Sequence, residues 1–389
     1  MISHRIPRLM PNALAGLRAA VGDRVIDLTV SNPTRVGLPL PAADIRAALD
    51  DPRVAAYEPE SFGRLEAREA VCAYYAGVHG VAVEPRDVAL TASTSEAYSF
   101  LLKLLADPGE RVLVPTPSYP LFTHLLQLDG VDASSYGLVY DLDRWCIDLE
   151  SVERGVRGGA RAIIAVGPNN PTGSYLKAAE VSALDRLARV HGIAVVSDEV
   201  FADFPLRPRD ADCVPTLAGR VTGSLGFSLG GLSKLLACPQ LKLGWIVMSG
   251  DPAARARVRE GLELVADTYL SVGTPVQVAL PALLSLRSAV VAAIGRRLTA
   301  NLESLRAALG TSGPCRILDA EGGWSAIVRI PVVMDADEAC ADLAHHAGVW
   351  VQPGYFFDLP AGHIVLSLIV EEAAFRAGTA ALMARIGSW

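Results

Sequence analysis

Only four lysines occur in the 389 residues, Lys103, Lys177, Lys234 and Lys242, and most other basic positions are arginine. A guanidinium does not give up its proton inside a protein, so chemistry that needs a neutral amine has few places to sit. Lys234 follows the apolar run Leu225-Gly226-Phe227-Ser228-Leu229-Gly230-Gly231, which predicts a lysine held near the interior. An amine so placed can attack a carbonyl or carry a proton. Asp198 ends a second apolar run, Ile193 to Ser197, and Asn170 sits in the turn Gly167-Pro168-Asn169-Asn170-Pro171-Thr172-Gly173. Ser93, Thr94 and Ser95 open a helix, where hydroxyls and free N–H groups can hold a phosphate. Each feature also has a plain structural explanation: a surface lysine, an acid that caps or pairs, turn chemistry, an ordinary Ser/Thr cap.

What must position these residues is a set of short strands. Val88–Thr91, Arg111–Val114, Ala162–Val166, Ile193–Ser197 and Leu243–Met248 read as strands, several apolar on both faces, and residues 65–78 and 95–106 read as helices. Strands buried on both faces imply a mostly parallel sheet between helices, an α/β fold. In such sheets ligands gather at the carboxyl ends of strands, where Ser93, Asn170, Asp198 and Lys234 all fall. The pattern predicts a large domain over 46–284 and a smaller α+β domain built from 1–45 and 285–389. One long helix over about 275–309 is expected to link the two.

The ordered set Asn170-Pro171-Thr172-Gly173, Asp198-Glu199-Val200-Phe201, Ser233-Lys234 and Pro239 to Trp245 resembles the class I/II aminotransferase family of fold-type I pyridoxal-phosphate enzymes. The intervals support it: 28 residues from Asn170 to Asp198, 36 from Asp198 to Lys234 and 8 from Lys234 to Lys242. The resemblance runs from Ser31-Asn32-Pro33-Thr34 to about Leu368. It implies an aspartate-aminotransferase-like fold whose large domain holds a seven-stranded type of sheet, with pyridoxal 5′-phosphate as cofactor. By the same resemblance Lys234 forms the Schiff base and moves the proton, Asp198 faces the pyridine nitrogen, Asn170 binds the ring oxygen and Tyr119 stacks on the ring. Ser93, Thr94, Ser95 and Lys242 would hold the phosphate. Tyr57 would reach a second copy's phosphate, which implies a homodimer with shared sites.

Departures from the family pattern lie in the same region. Phe201 replaces a tyrosine that donates to the ring oxygen, Lys242 replaces a bidentate arginine, and Gly231 replaces a phosphate-binding serine for which Ser228 or Ser233 could compensate. Val365, in Gly362-His363-Ile364-Val365-Leu366-Ser367, stands where relatives carry an arginine for the substrate α-carboxylate. Asn32 and Arg35 are then substrate-side candidates, with Arg329 a second substitute and an ordinary strand-surface arginine the competing reading of it. The other alternative is a substrate without a free α-carboxylate. Transfer of an amino group between a small amine or amino acid and a carbonyl compound is the leading expectation. Elimination, replacement, cyclisation or decarboxylation would use the same lysine and aspartate.

Composition narrows the field further. A chain 51% apolar and 20% charged folds, and a net charge of −7 without a basic run argues against nucleic acid or an anionic membrane as partner. The six cysteines are scattered with no ligand spacing, so no metal site is expected. No signal pattern or membrane-spanning run occurs, which predicts a cytoplasmic protein.

Overall fold

In the computed structural model, which describes residues 2–7, 13–310 and 313–389, eight strands form one large sheet. In chain order these are β1 (Val88–Thr91), β2 (Arg111–Thr116), β3 (Asp132–Asp141), β4 (Arg144–Ile147), β5 (Ala160–Val166), β6 (Ala194–Asp198), β7 (Leu225–Gly231) and β8 (Gly244–Gly250). Their spatial order is β1-β8-β7-β6-β5-β2-β3-β4. Strands β7, β6, β5, β2 and β3 are mutually parallel, and β8 runs antiparallel to both of its neighbours. The expected seven strands are therefore present. The eighth, β4, is a four-residue hairpin partner of β3 in which only Trp145 is buried.

Helices cover both faces. Helix α1 (Thr94–Leu105) and α4 (Pro252–Tyr269) bury Ala97, Phe100, Leu101, Leu262 and Ala266 against one face. Helices α2 (Leu149–Arg157) and α3 (Ala178–His191) bury Val152, Val156, Val181, Leu184 and Ala188 against the other. Every residue of β1 and all but the last of β6 and β8 are buried, as strands covered on two sides require.

The long helix read over 275–309 is two helices, α5 (Thr274–Ser285) and α6 (Arg287–Leu309), bent by 68°. At the break the Leu286 N–H closes back onto the Leu283 carbonyl and the Ser285 hydroxyl takes the Ala282 carbonyl, so the i→i−4 ladder stops. Arg287 then pairs with buried Asp203, fixing the new direction.

A second sheet follows α6: β9 (Arg316–Leu318), β10 (Ser325–Arg329), β11 (Gln352–Pro353) and β12 (His363–Ser367), antiparallel in the order β9-β10-β12-β11. One face packs Ala326, Val328, Ile364 and Leu366 into the core shared with α6 and α7 (Glu372–Ile386). The opposite face looks toward the large sheet. The early chain joins this part, since Ile26–Asp27 pairs in parallel with Val349–Trp350 and the Ser367 N–H bonds the Leu28 carbonyl. Among the described residues no single helix is long and apolar enough to cross a membrane.

Candidate active site

Lys234, Asp198 and Asn170 meet in one cavity of about 530 Å³, between the carboxyl ends of β1, β5, β6 and β7 and the inner face of the second sheet. That size suits a small organic molecule. Asp198 ends β6, where its Oδ2 accepts from the Tyr98 hydroxyl at 3.1 Å and its Oδ1 from the Val200 N–H at 3.1 Å. Burial pushes the Asp198 carboxyl above the usual range, against the opposing pull of those two donors and of Lys234. A positive charge beside it would hold it ionised.

Lys234 sits on the one-turn helix Leu232–Leu235 that follows β7. Its Nζ lies 5.8 Å from the Phe201 ring centre and 5.3 Å from that of Trp324, and these two rings meet edge-on at 5.4 Å. Burial lowers the Lys234 pKa, with the charge of Asp198 opposing. The result is an amine poised nearer to its neutral, nucleophilic form than a surface lysine.

At the other end of the cavity Ser93 caps α1. Its Oγ accepts the Glu96 N–H at 3.2 Å while Glu96 reaches back to the Ala92 N–H at 2.6 Å. Ser93, Thr94, Ser95, Ser233 and Lys242 all line the cavity there. Lys242 adopts a left-handed backbone, φ 53°, which turns the chain at this rim. Gly231 lines the cavity too, and a Cβ on it would come within 3.0 Å of the Gly244 Cα and the Leu243 carbonyl oxygen. Backbone packing thus accounts for glycine where the family pattern has serine. Of the two compensating hydroxyls, Ser233 reaches the cavity and Ser228 does not; Ser228 is fully buried beside Glu199.

The turn bearing Asn170 is locked to the second sheet. Gly173, at φ 69°, has no room for a Cβ, which would lie 2.5 Å from the Gly322 oxygen. Its own carbonyl accepts the Gly322 N–H at 2.9 Å, and Asn170 Oδ1 accepts the Ser325 hydroxyl at 2.9 Å.

Tyr119 lines the cavity mouth and is 48% exposed, while Phe201 forms part of the wall. Val365, 3% exposed, also lines the cavity. Its side chain belongs to an apolar cluster with Ile327, Leu318, Phe357, Leu359 and Trp145. The structure does not bring Asn32 or Arg35 into the cavity of this single chain. Both are exposed, with Asn32 Oδ1 engaged by the Thr34 N–H and hydroxyl, and Thr29 and Ser31 reach the cavity instead. Tyr57 is 73% exposed and outside the cavity, and Arg329 lies on the exposed end of its strand. No arginine lines the cavity among the described residues.

Sequence reasoning missed Tyr98, Trp324, Ser325, Gln352 and Ser367. Tyr98 had a signal, since it lies one helical turn beyond Thr94 on the same face. Ser325, Gln352 and Ser367 arrive from a strand face whose register no local pattern fixes, and Trp324 from the residue just before it. Trp324 Nε1 and Ser367 Oγ are buried without a hydrogen-bond partner, polar atoms facing the cavity that a bound molecule would satisfy.

A family model described as aminotransferase class I and II matches residues 23–379. The alanine aminotransferase of Mycobacterium tuberculosis (strain ATCC 25618 / H37Rv) is 30% identical over 262 residues, an alignment spanning 66% of this chain and 59% of that protein. Among solved structures, the alanine aminotransferase of Pyrococcus furiosus superposes with a TM-score of 0.85 at 23% identity, covering 96% of this chain and 95% of that one. An aspartate aminotransferase of Thermus thermophilus, a single mutant, gives 0.82 at 24% identity, covering 99% of both. The cofactor of the class is pyridoxal phosphate. The donor set fits that molecule, with hydroxyls and a helix N-terminus for an anionic end, a buried carboxylate for a ring cation and an amine between. With the match covering most of its length, the chain belongs to the class I and II aminotransferase family and takes pyridoxal 5′-phosphate as its cofactor.

Proposed function

We propose that the protein is an aminotransferase that moves an amino group between a small amine or amino acid and a carbonyl compound. The observation that carries this reading is the pairing of Lys234, its pKa lowered by burial, with Asp198 at the far side of one cavity. The chemistry supplied by bound pyridoxal phosphate is an aldehyde that condenses with amines and a ring that accepts an electron pair. Ser93, Thr94, Ser95, Ser233 and Lys242 would hold its phosphate, Asp198 its ring nitrogen, Asn170 its ring oxygen, and Tyr119 the ring face. Lys234 Nζ, neutral at lower pH than a surface lysine, would take a proton from the substrate carbon and return it. Trp324 and Phe201 exclude water around that amine, which strengthens its coupling to Asp198.

The Val365 wall sets the substrate. A guanidinium is replaced by a cluster with no charge to meet a carboxylate, so the group facing Val365 is uncharged. Polar contacts on that side come from Gln352, which pairs across the strands with Val365, and from Ser367. Exposed Tyr57 supports a homodimer in which each copy completes its partner's phosphate site. Six free thiols support a reducing, cytoplasmic setting.

The test is to incubate the purified yellow protein with a panel of amino acids and uncharged-end amines and follow the visible absorbance. Loss of the band on adding an amine, and its return on adding a carbonyl compound, is the expected result. Release of ammonia without that cycle would replace the reading by elimination. Lys234→Ala should lack both the band and the cycle.

A further inference from the structure

The inner face of the second sheet does not end at the Lys234 cavity. Strand register places its side chains in rows: Ser325 opposite Ser367, then Leu318, Ile327, Val365 and Gln352, then Arg316, Arg329 and His363. At about 3.4 Å per residue the last row lies about 14 Å from the first along the strands. The first row lines the Lys234 cavity. The third lines a separate and larger one, about 1800 Å³, between this sheet and the β3–β4 hairpin. The middle row, covered by Trp145, Phe357 and Leu359, forms the partition. The Ser118 N–H to Phe357 carbonyl bond, 3.1 Å, closes its edge.

Arg316 and Arg329 are direct cross-strand partners, and like charges in that arrangement repel. Among the described residues neither side chain makes an ion pair or hydrogen bond. His363, opposite Arg329, holds Nδ1 against the Pro360 carbonyl at 3.0 Å, and an imidazole, neutral or cationic, carries no negative charge to offset the pair. The acids of the lining do not relieve the pair. Asp319 is engaged by Arg207 at 3.5 Å and Arg306 at 3.7 Å, and Asp358 stands exposed in the loop after Phe357. The hairpin that faces them presents Leu138, Val139 and Trp145.

We propose that this larger cavity binds an amphipathic organic anion, its charged end on Arg316 and Arg329 and its apolar body against the Leu138–Trp145 hairpin. A carboxylate between two guanidiniums removes their repulsion and forms charge-assisted hydrogen bonds, while its hydrocarbon part covers exposed Val139 and the half-buried Leu138 beside it. The anion has two possible sources. It is either the far end of the amino substrate, reaching past a displaced partition, or a separate molecule whose seat shares Val365's wall. Only the first rests on the aminotransferase reading.

Decanoate, below its aggregation concentration, is the probe, with decan-1-ol as the uncharged control. Calorimetric titration of the holoprotein should show one saturable decanoate site per chain and binding of decanol weaker by roughly tenfold or more. Arg316→Ala/Arg329→Ala, both surface changes, should lose decanoate by a similar factor without lowering the melting temperature. Equal binding of acid and alcohol, or an unaffected double variant, overturns the proposal. If 10-aminodecanoate depletes the cofactor band faster in the wild type than in the double variant, the anion is the substrate's far end. If decanoate instead changes the rate with a short amine without competing with it, the anion is a separate ligand. Should no amine deplete the band at all, the aminotransferase reading falls while the binding result stands.

Discussion

At Asp198 two donors hold the carboxylate that burial would otherwise neutralise, and they can be separated. The Val200 N–H belongs to the backbone, but the Tyr98 hydroxyl can be deleted. Tyr98→Phe should let the Asp198 pKa climb further and weaken retention of the cofactor by about 1 kcal/mol, or roughly fivefold, measured by dialysis against cofactor-free buffer. Unchanged retention would mean that Tyr98 only fills space. Phe201 offers the opposite experiment, because its ring already borders the cavity and meets Trp324 edge-on. Phe201→Tyr adds a donor where the family pattern has one, and the pH titration of the cofactor's visible band should move to lower pH. A titration that does not move refutes that role. The difference between Tyr98 and Phe201 shows what was legible at this scale. Phe201 stands in a motif of contiguous residues, whereas the Tyr98–Asp198 bond joins residues 100 positions apart.

At the scale of elements, strand ends were readable because a strand buried on both faces writes its own apolar run, as β6 and β7 do. Strand β4 was not, since it is a half-exposed hairpin partner, and neither was the break at Leu286, which depends on a distant anchor. That anchor is Asp203, which takes Arg287 and the Tyr74 hydroxyl, the latter at 2.6 Å, with its side chain only 4% exposed. Arg287→Ala leaves this carboxylate buried without its cation and should cost about 3 kcal/mol of unfolding free energy in a urea titration. Adding Asp203→Asn should restore part of the loss. If the single variant is as stable as the wild type, the bend is fixed by packing of α5 and α6 alone.

For the whole molecule, stability should carry a pH signature from Glu199, a neighbour of Asp198 that faces away from the cavity. Burial pushes its pKa from 4.5 to about 7, despite the Leu217 N–H at 2.8 Å. The folded state thus holds this proton more tightly than the unfolded chain. Its contribution is complete below 4.5 and is lost as pH rises through about 7. Unfolding free energy should fall by about 3 kcal/mol across that window, and Glu199→Gln should flatten the slope. A slope that persists in the variant assigns the effect to other groups. The mostly parallel large sheet between helices was legible in outline, because motif order and strand pattern are local. The faces on which distant parts meet were not, and so Trp324, Ser325 and Ser367 became visible only in three dimensions.

One feature of α1 reaches beyond its role as an element. The helix opens at Ser93–Ser95 and, one turn later, grips Asp198 through Tyr98. Four residues of helix rise about 6 Å, and a helix turn is stiff. The two ends of the cavity are therefore jaws of a single caliper: if the helix shifts, both shift together and the gap between them keeps its length. A molecule whose anion and ring base are spaced differently fails to span that gap, and it is turned away without any residue devoted to rejecting it.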